Sequence, residues 1–253
     1  MTRRLEGTVA LITGASSGIG HATALELARE GASVALVGRR EDRLTDLAAE
    51  ISSTGGQALV VPADITDAQA AAAAVARTVE GLGRLDILVN NAGLMLLGPA
   101  PDADLNDWRR MIDINLMGLM YTTHAAVPHL LKAAGQGPRE VADIVNIGSV
   151  AGRSAFAMSA VYCATKFGVG AFTESLRQEL ARQHVRVSVV EPGSVDTELR
   201  THNPQVVQQV IASSLGDIER LQSQDIADAI GYIVTRPRHV AVNELLVRPT
   251  EQL

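Results

Sequence analysis

The chain has 253 residues, 47% apolar and 20% charged, the balance of a globular protein rather than a disordered or fibrous one. A net charge of −6 argues against a nucleic-acid partner, and a single cysteine, Cys163, excludes an internal disulfide and fits a reducing compartment. No window approaches the ~20 apolar residues of a membrane span, and the first seven residues lead into a strand without a secretory apolar region, so a cytoplasmic location is expected.

Short β-branched runs alternate along the chain with longer amphipathic or alanine-rich stretches. Strands are predicted at 8–13, 33–37, 58–61, 86–90, 143–147, 185–190 and 244–247. Helices are predicted at about 18–30, 41–53, 67–81, 104–133, 160–183 and 224–235. Pro128 should kink or shorten the fourth of these. Strands of nearly continuous Val, Ile and Leu separated by helices imply a parallel sheet covered on both faces. That is the doubly wound α/β architecture, the Rossmann fold, whose ligands lie beyond the carboxyl ends of the strands. No repeat or Pro/Ser-rich linker divides the chain, so residues 1–253 read as a single domain. The polar, weakly periodic stretch 194–222 reads as a mobile lid.

Between the first strand and the first helix stands Thr13-Gly14-Ala15-Ser16-Ser17-Gly18-Ile19-Gly20. Glycines at these places let the backbone turn sharply and approach a pyrophosphate, whose charge meets the free N–H groups of a helix start. The plain alternative is an ordinary strand–turn–helix; the loop's position in the first βαβ unit favours a dinucleotide. An NAD site would carry Asp or Glu at the end of the second strand, about 20 residues on. This chain has Gly38 there, followed by Arg39 and Arg40. Two guanidinium forks in place of a carboxylate suit a 2′-phosphate, so the cofactor is expected to be NADP(H). Arg39 is placed on the phosphate and Arg40 beside the adenine. Alternatively both arginines are solvated and pair with Glu41 or Asp42.

Tyr162 and Lys166 stand four apart and stack on one helix face. Ser149 follows the fifth strand, thirteen residues earlier. Each has a bland reading when taken alone: a surface pair, or a strand-end cap. A hydride acceptor, however, needs a proton source, and tyrosine with a pKa of about 10 needs a neighbouring cation to exchange protons near neutral pH. Tyr162 is therefore the candidate general acid/base, Lys166 its tuning cation, and Ser149 the group that bonds the substrate oxygen. Cys163 points about 100° around the helix from Tyr162 and reads as core packing. The six histidines form no zinc signature, so no metal is expected.

Asn90-Asn91-Ala92-Gly93 and Pro192-Gly193 complete a set of motifs that resembles the short-chain dehydrogenase/reductase family from Gly7 to about Thr197. The resemblance implies a seven-stranded parallel sheet in the order 3-2-1-4-5-6-7. It implies a homotetramer or homodimer joined through the two long helices. By position it also implies roles for single residues. Gly14, Ser16, Ser17, Gly18, Ile19 and Gly20 would hold the cofactor, with Asp64 and Ile65 near the adenine. Asn91, Ala92 and Gly93, after the fourth strand, would also hold the cofactor, with Asn91 steadying the central strands, and Pro192, Gly193, Val195 and Thr197 would lie over the nicotinamide. Asn115 would support a proton-relaying water, and Tyr162 and Lys166 would also touch the cofactor. The ending Val242-Asn-Glu-Leu-Leu-Val-Arg-Pro-Thr departs from the family's usual Asp-Gly-Gly turn. It resembles the branch of NADP-dependent 3-hydroxy-acid dehydrogenases and clavulanic acid dehydrogenase.

The expected reaction transfers a hydride between NADP(H) and a carbonyl or alcohol of a small molecule. The alternatives are an NADPH-sensing binding protein without turnover, or the same chemistry with NAD(H). The candidate substrate residues are Met95, Ser149, Arg153, Phe156 and Arg200. Arg153 or Arg200 would pair with a carboxylate if the substrate has one; the alternative is that both are surface arginines.

Overall fold

β1 (Val9–Thr13) is buried along its whole length, and its side chains alternate between two cores. Ala10 and Ile12 face one core and Leu11 the other, as a strand covered on both faces requires. The computed structural model describes residues 3–252, with the backbone alone for Ile211, Ala212, Ser214 and Leu215. Around β1 lie β2 (Ser33–Gly38), β3 (Ala58–Pro62), β4 (Ile87–Asn90), β5 (Ala142–Ile147), β6 (Val185–Pro192) and β7 (Glu244–Val247). All pairs are parallel and the order is β3-β2-β1-β4-β5-β6-β7, the expected doubly wound sheet.

Helices cover both faces. α1 (Gly18–Arg29), α2 (Glu41–Ser53) and α8 (Ser223–Val234) supply Leu27, Leu44, Leu47, Ile226 and Ile230 to one core. α3 (Ala68–Leu82), α5 (Gly118–Gln136) and α6 (Ala160–Leu180) supply Val75, Leu130 and Leu180 to the other. The alanine run of α3 is bounded at both ends by its sequence. The Asp67 carboxylate accepts from the Ala70 N–H, and Gly83 closes the helix in the left-handed region at φ 84°. Among the described residues, no helix is long and apolar enough to cross a membrane.

The expected single helix over 104–133 is interrupted. α4 (Leu105–Ile112) passes through a π-helical turn, Asp113–Met117, into α5. Pro128 sits inside α5 without ending it, so the irregularity lies a dozen residues earlier than expected. The stretch 194–222 contains regular structure despite its weak periodicity. It holds a 3₁₀ segment, Glu198–His202, then α7 (Gln205–Leu215), and an isolated bridge pairs Val195 with Leu221.

Two features of the sheet place the site. The chain leaves β1 toward β2 and returns to β4 on the other side, so the loops after β1 and β4 diverge and open a crevice at the carboxyl end. The amino end is clamped instead. Near the starts of β5 and β6, the Arg186 guanidinium donates twice to the buried Asp143 carboxylate, at 2.7 and 3.0 Å, and also to the carbonyls of Val234 and Val240.

Candidate active site

At the carboxyl end of the sheet lies a cleft of about 1180 Å³, larger than an ordinary small-molecule pocket of roughly 300–1,000 Å³. The glycine loop forms its floor. Gly14 and Gly18 take left-handed φ values of 66° and 56°, which side chains resist. Gly20 does not line the cleft, contrary to the sequence reading. It lies beneath the loop, where a Cβ would stand 2.4 Å from the Gly14 carbonyl oxygen and 2.5 Å from Asn91 Nδ2. Asn91 braces the loop by donating from Nδ2 to the Thr13 carbonyl at 2.9 Å. Thr13, which opens the glycine motif but has no role in the sequence reading, accepts at its hydroxyl from the N–H groups of Asn91 and Ala92 at 3.0 and 3.1 Å. α1 starts without a capping side chain or an acidic residue in its first turn, leaving its terminal N–H groups to an anion. Ser16, Ser17, Gly18 and Ile19 border the cleft at this point.

The two arginines divide differently from expectation. Arg39 has a side chain 78% exposed and comes only within 3.9 Å of Asp64. Arg40 lies over the glycine loop. It donates from Nε and Nη2 to the Ser16 hydroxyl at 3.1 and 2.9 Å, and from Nη2 to Ser17 at 2.7 Å. Its Nη1 donates to Glu198 at 2.9 Å, and Arg43 donates to the same carboxylate at 2.6 Å. These bonds hold the Glu198 carboxyl at about 2, well below the usual range. Asp64 accepts from the N–H and hydroxyl of Thr66 and, with Ile65, borders the cleft.

Across the crevice, Ser149 follows β5 while Tyr162 and Lys166 project from the start of α6, and all three line the cleft wall. Lys166 donates from Nζ to the Ile147 carbonyl at 2.7 Å, with Nζ 5.8 Å from the centre of the Tyr162 ring. Burial pushes the Tyr162 phenol up to about 12, and a hydrogen bond with Ser149 offsets part of that rise. Burial alone pushes Lys166 down to about 8. Cys163 is buried beside Met111 and Ala151, as packing.

Asn115 lies in the π turn, buried and off the cleft wall. Its Oδ1 accepts from the Leu94 N–H at 2.7 Å, and its Nδ2 donates to the Leu94 carbonyl at 2.8 Å and to the Thr165 hydroxyl at 3.2 Å. The contact is with Leu94 and Thr165, and no direct bond reaches Lys166.

Ala92, Gly93, Pro192, Gly193, Val195 and Thr197 all border the cleft, as do Met95, Phe156 and Arg200. Arg153 does not. It is held by the buried Glu191, to which Nε donates at 2.7 Å, and by Glu244, so its guanidinium is engaged away from the cleft wall. Arg200 remains, bonded only weakly to Asp196 at 3.4 Å. Sequence reasoning also missed Asn203, which accepts from the Leu97 N–H at 2.7 Å and donates to the Met95 carbonyl at 2.9 Å. It missed Gln252, whose side-chain oxygen accepts from the Ser194 N–H at 2.8 Å. Met158, on the cleft, holds an uncommon φ of 64°.

Known proteins share the family and the fold. The family model for short chain dehydrogenase matches residues 8–207. An uncharacterized oxidoreductase of Staphylococcus epidermidis is 38% identical over 246 residues, covering 97% of this chain and 99% of that one. A serine dehydrogenase solved in its closed form with NADP⁺ superposes with a TM-score of 0.88 at 33% identity, covering 97% of this chain and 96% of that one. A 3-ketoacyl-(acyl-carrier-protein) reductase from Brucella melitensis, solved with NADH, superposes with a TM-score of 0.86 at 30% identity, covering 98% and 100%. With its motifs on one cleft and its relatives matched nearly end to end, the chain belongs to the short chain dehydrogenases, a family of oxidoreductases.

Proposed function

We propose that this protein uses NADP(H) to interconvert a carbonyl compound and the corresponding alcohol, with Tyr162 as the proton donor and acceptor. One observation carries the reading: Ser149, Tyr162 and Lys166 share a cleft with a glycine loop and an uncapped helix start suited to a dinucleotide. The bound cofactor would supply or receive the hydride at the substrate carbon. In reduction the Tyr162 hydroxyl gives its proton to the oxygen of the new alcohol, and in oxidation the tyrosinate takes it back. Ser149, whose hydroxyl accepts from the Ala151 N–H at 3.1 Å and lines the cleft beside Tyr162, bonds the same oxygen as its charge develops. Lys166, a turn along α6, holds a positive charge under the site and can donate to ribose hydroxyls.

The fit to NADP(H) rests on Arg40 and Arg43 and on the lack of any acidic residue at the end of β2. The same chemistry with NAD(H) is the second reading, favoured by the exposure of Arg39 and the Glu198 carboxylate already between the two seated arginines. The segment 194–222 would act as the lid over the substrate. The long helices would join a dimer or tetramer, a role that suits Leu105, Ile112 and Phe167, exposed by 71%, 43% and 45%. Membership of the 3-hydroxy-acid branch would give Arg200 a carboxylate to bind.

The test is a screen of NADPH and NADH consumption over aldehydes, β-keto acids, cyclic ketones and quinones. Turnover of one class with NADPH preferred supports the proposal. No turnover of any class by enzyme that binds NADPH would refute it and leave a sensing protein.

A further inference from the structure

Glu198 opens the 3₁₀ segment at the near end of the stretch 194–222, beside Thr197. Its two carboxylate oxygens go to two different arginines. Oε2 accepts from Arg40 at 2.9 Å and Oε1 from Arg43 at 2.6 Å. The partners are 158 and 155 residues away in sequence, so the contact ties this segment to the turn after β2 and the start of α2. The remaining bonds of Arg40 go to Ser16 and Ser17 of the glycine loop. The neighbouring Thr197 Cγ2 passes 3.3 Å from where a Cβ on Gly18 would stand, so the segment lies directly over that loop.

An anion thus bridges two guanidinium groups at the border of the nucleotide cleft. A carboxylate offers them one negative charge and two oxygens. A phosphate monoester offers about −1.5 to −2 and three oxygens in a geometry that arginine forks match. The side chains of Arg40, Arg43 and Glu198 are each 40–44% exposed, so partners can exchange without unfolding anything. Exposed pairs of this kind are individually weak, which makes exchange energetically feasible.

We propose that Glu198 is an internal surrogate for the cofactor's 2′-phosphate. It occupies Arg40 and Arg43 until a 2′-phosphorylated nucleotide takes both arginines and releases the segment 197–202. A nucleotide without that phosphate leaves the tie in place. Glu198 then determines how tightly the two cofactors are distinguished and couples cofactor identity to the freedom of the lid. The proposal rests on the NADP(H) reading above.

The test uses the full chain, wild type and Glu198→Gln, with adenosine 2′,5′-bisphosphate and 5′-AMP as probes in calorimetric titration. The bisphosphate is expected to bind the variant about fivefold to tenfold more tightly than it binds wild type, while 5′-AMP binds both alike. Hydrogen exchange in 197–202 of the wild type is expected to quicken with the bisphosphate and not with 5′-AMP. An unchanged or weaker bisphosphate affinity in the variant would overturn the proposal, because Glu198 would then be a bystander or a support for the arginines. Exchange that slows or holds steady with the bisphosphate would overturn it as well. If wild type binds the two probes equally, the NADP(H) reading itself fails, and that outcome is separate from failure of the variant to respond.

Discussion

Lys166 stacks one helical turn below Tyr162 yet donates its proton elsewhere, to the Ile147 carbonyl at 2.7 Å. Both groups are buried, and burial drives their pKa values in opposite directions, to about 12 for the phenol and about 8 for the ammonium. Each works against its own ionised form, which gives a stability signature that does not require substrate.

Below pH 8 Lys166 is charged in both folded and unfolded chains, and its burial costs stability. Between about 8 and 10.5 only the unfolded chain keeps the proton, so stability rises with pH by at most about 1.4 kcal/mol per unit. Tyr162 reverses the trend between about 10 and 12, where the unfolded chain ionises first. Denaturant titrations of wild type and Lys166→Met at pH 7.5 and 9.5 check this. Wild type should gain stability relative to the variant on going up in pH, and equal changes in the two proteins would refute it.

Tyr162→Phe removes the proton and little else, since the ring stays packed beside Met111 and Cys163. Turnover should fall by at least about 10²-fold, the lower bound for a lost general acid, while the dissociation constant for NADPH stays within a few-fold. Steady-state kinetics with a fluorescence binding titration give both numbers. Appreciable turnover by the Phe variant would remove Tyr162 from the reaction.

Arg40 should matter more than Arg39 for cofactor choice. Arg40 lies on Ser16 and Ser17, whereas among the described residues the ion pair of Arg39 is with Asp64 at 3.9 Å. Loss of one charge-assisted bond to phosphate is worth roughly tenfold. The ratio of kcat/KM for NADPH over NADH should therefore drop by about tenfold in Arg40→Gln and stay near wild type in Arg39→Gln. The opposite ranking would return the phosphate to Arg39.

Arg153→Ala should unsettle the fold, not the substrate. It strips Glu191, buried at the end of β6, of its cation, at a cost of about 1–3 kcal/mol. Thermal denaturation should show the loss, and KM for an acidic substrate should change less than in Arg200→Gln. A large rise in KM for the Arg153 variant alone would reverse the assignment made from its salt bridges.

Much of this was legible because local pattern and tertiary role coincide. The β1 run Val-Ala-Leu-Ile-Thr has no polar face because both its faces are covered, and Tyr162 and Lys166 meet because four residues make one turn. The misreadings arise where contacts join distant parts of the chain. Nothing near Arg153 signals Glu191 and Glu244, and nothing near Arg40 signals Glu198. The π turn is equally hidden, since the bonds of its Asn115 go to the Leu94 backbone, 21 residues earlier. α7 escaped where apolar residues point outward; Val206 and Val210 are 67% and 45% exposed.

The Asp143–Arg186 clamp stands at the opposite end of β5 and β6 from Ser149 and Pro192. Mutational tolerance should therefore be polarised along the strands. Libraries confined to the loops at 94–97, 154–158 and 198–203 can search for new substrate ranges while leaving that anchor intact. The scaffold is divided into an end that can be diversified and an end that must be kept.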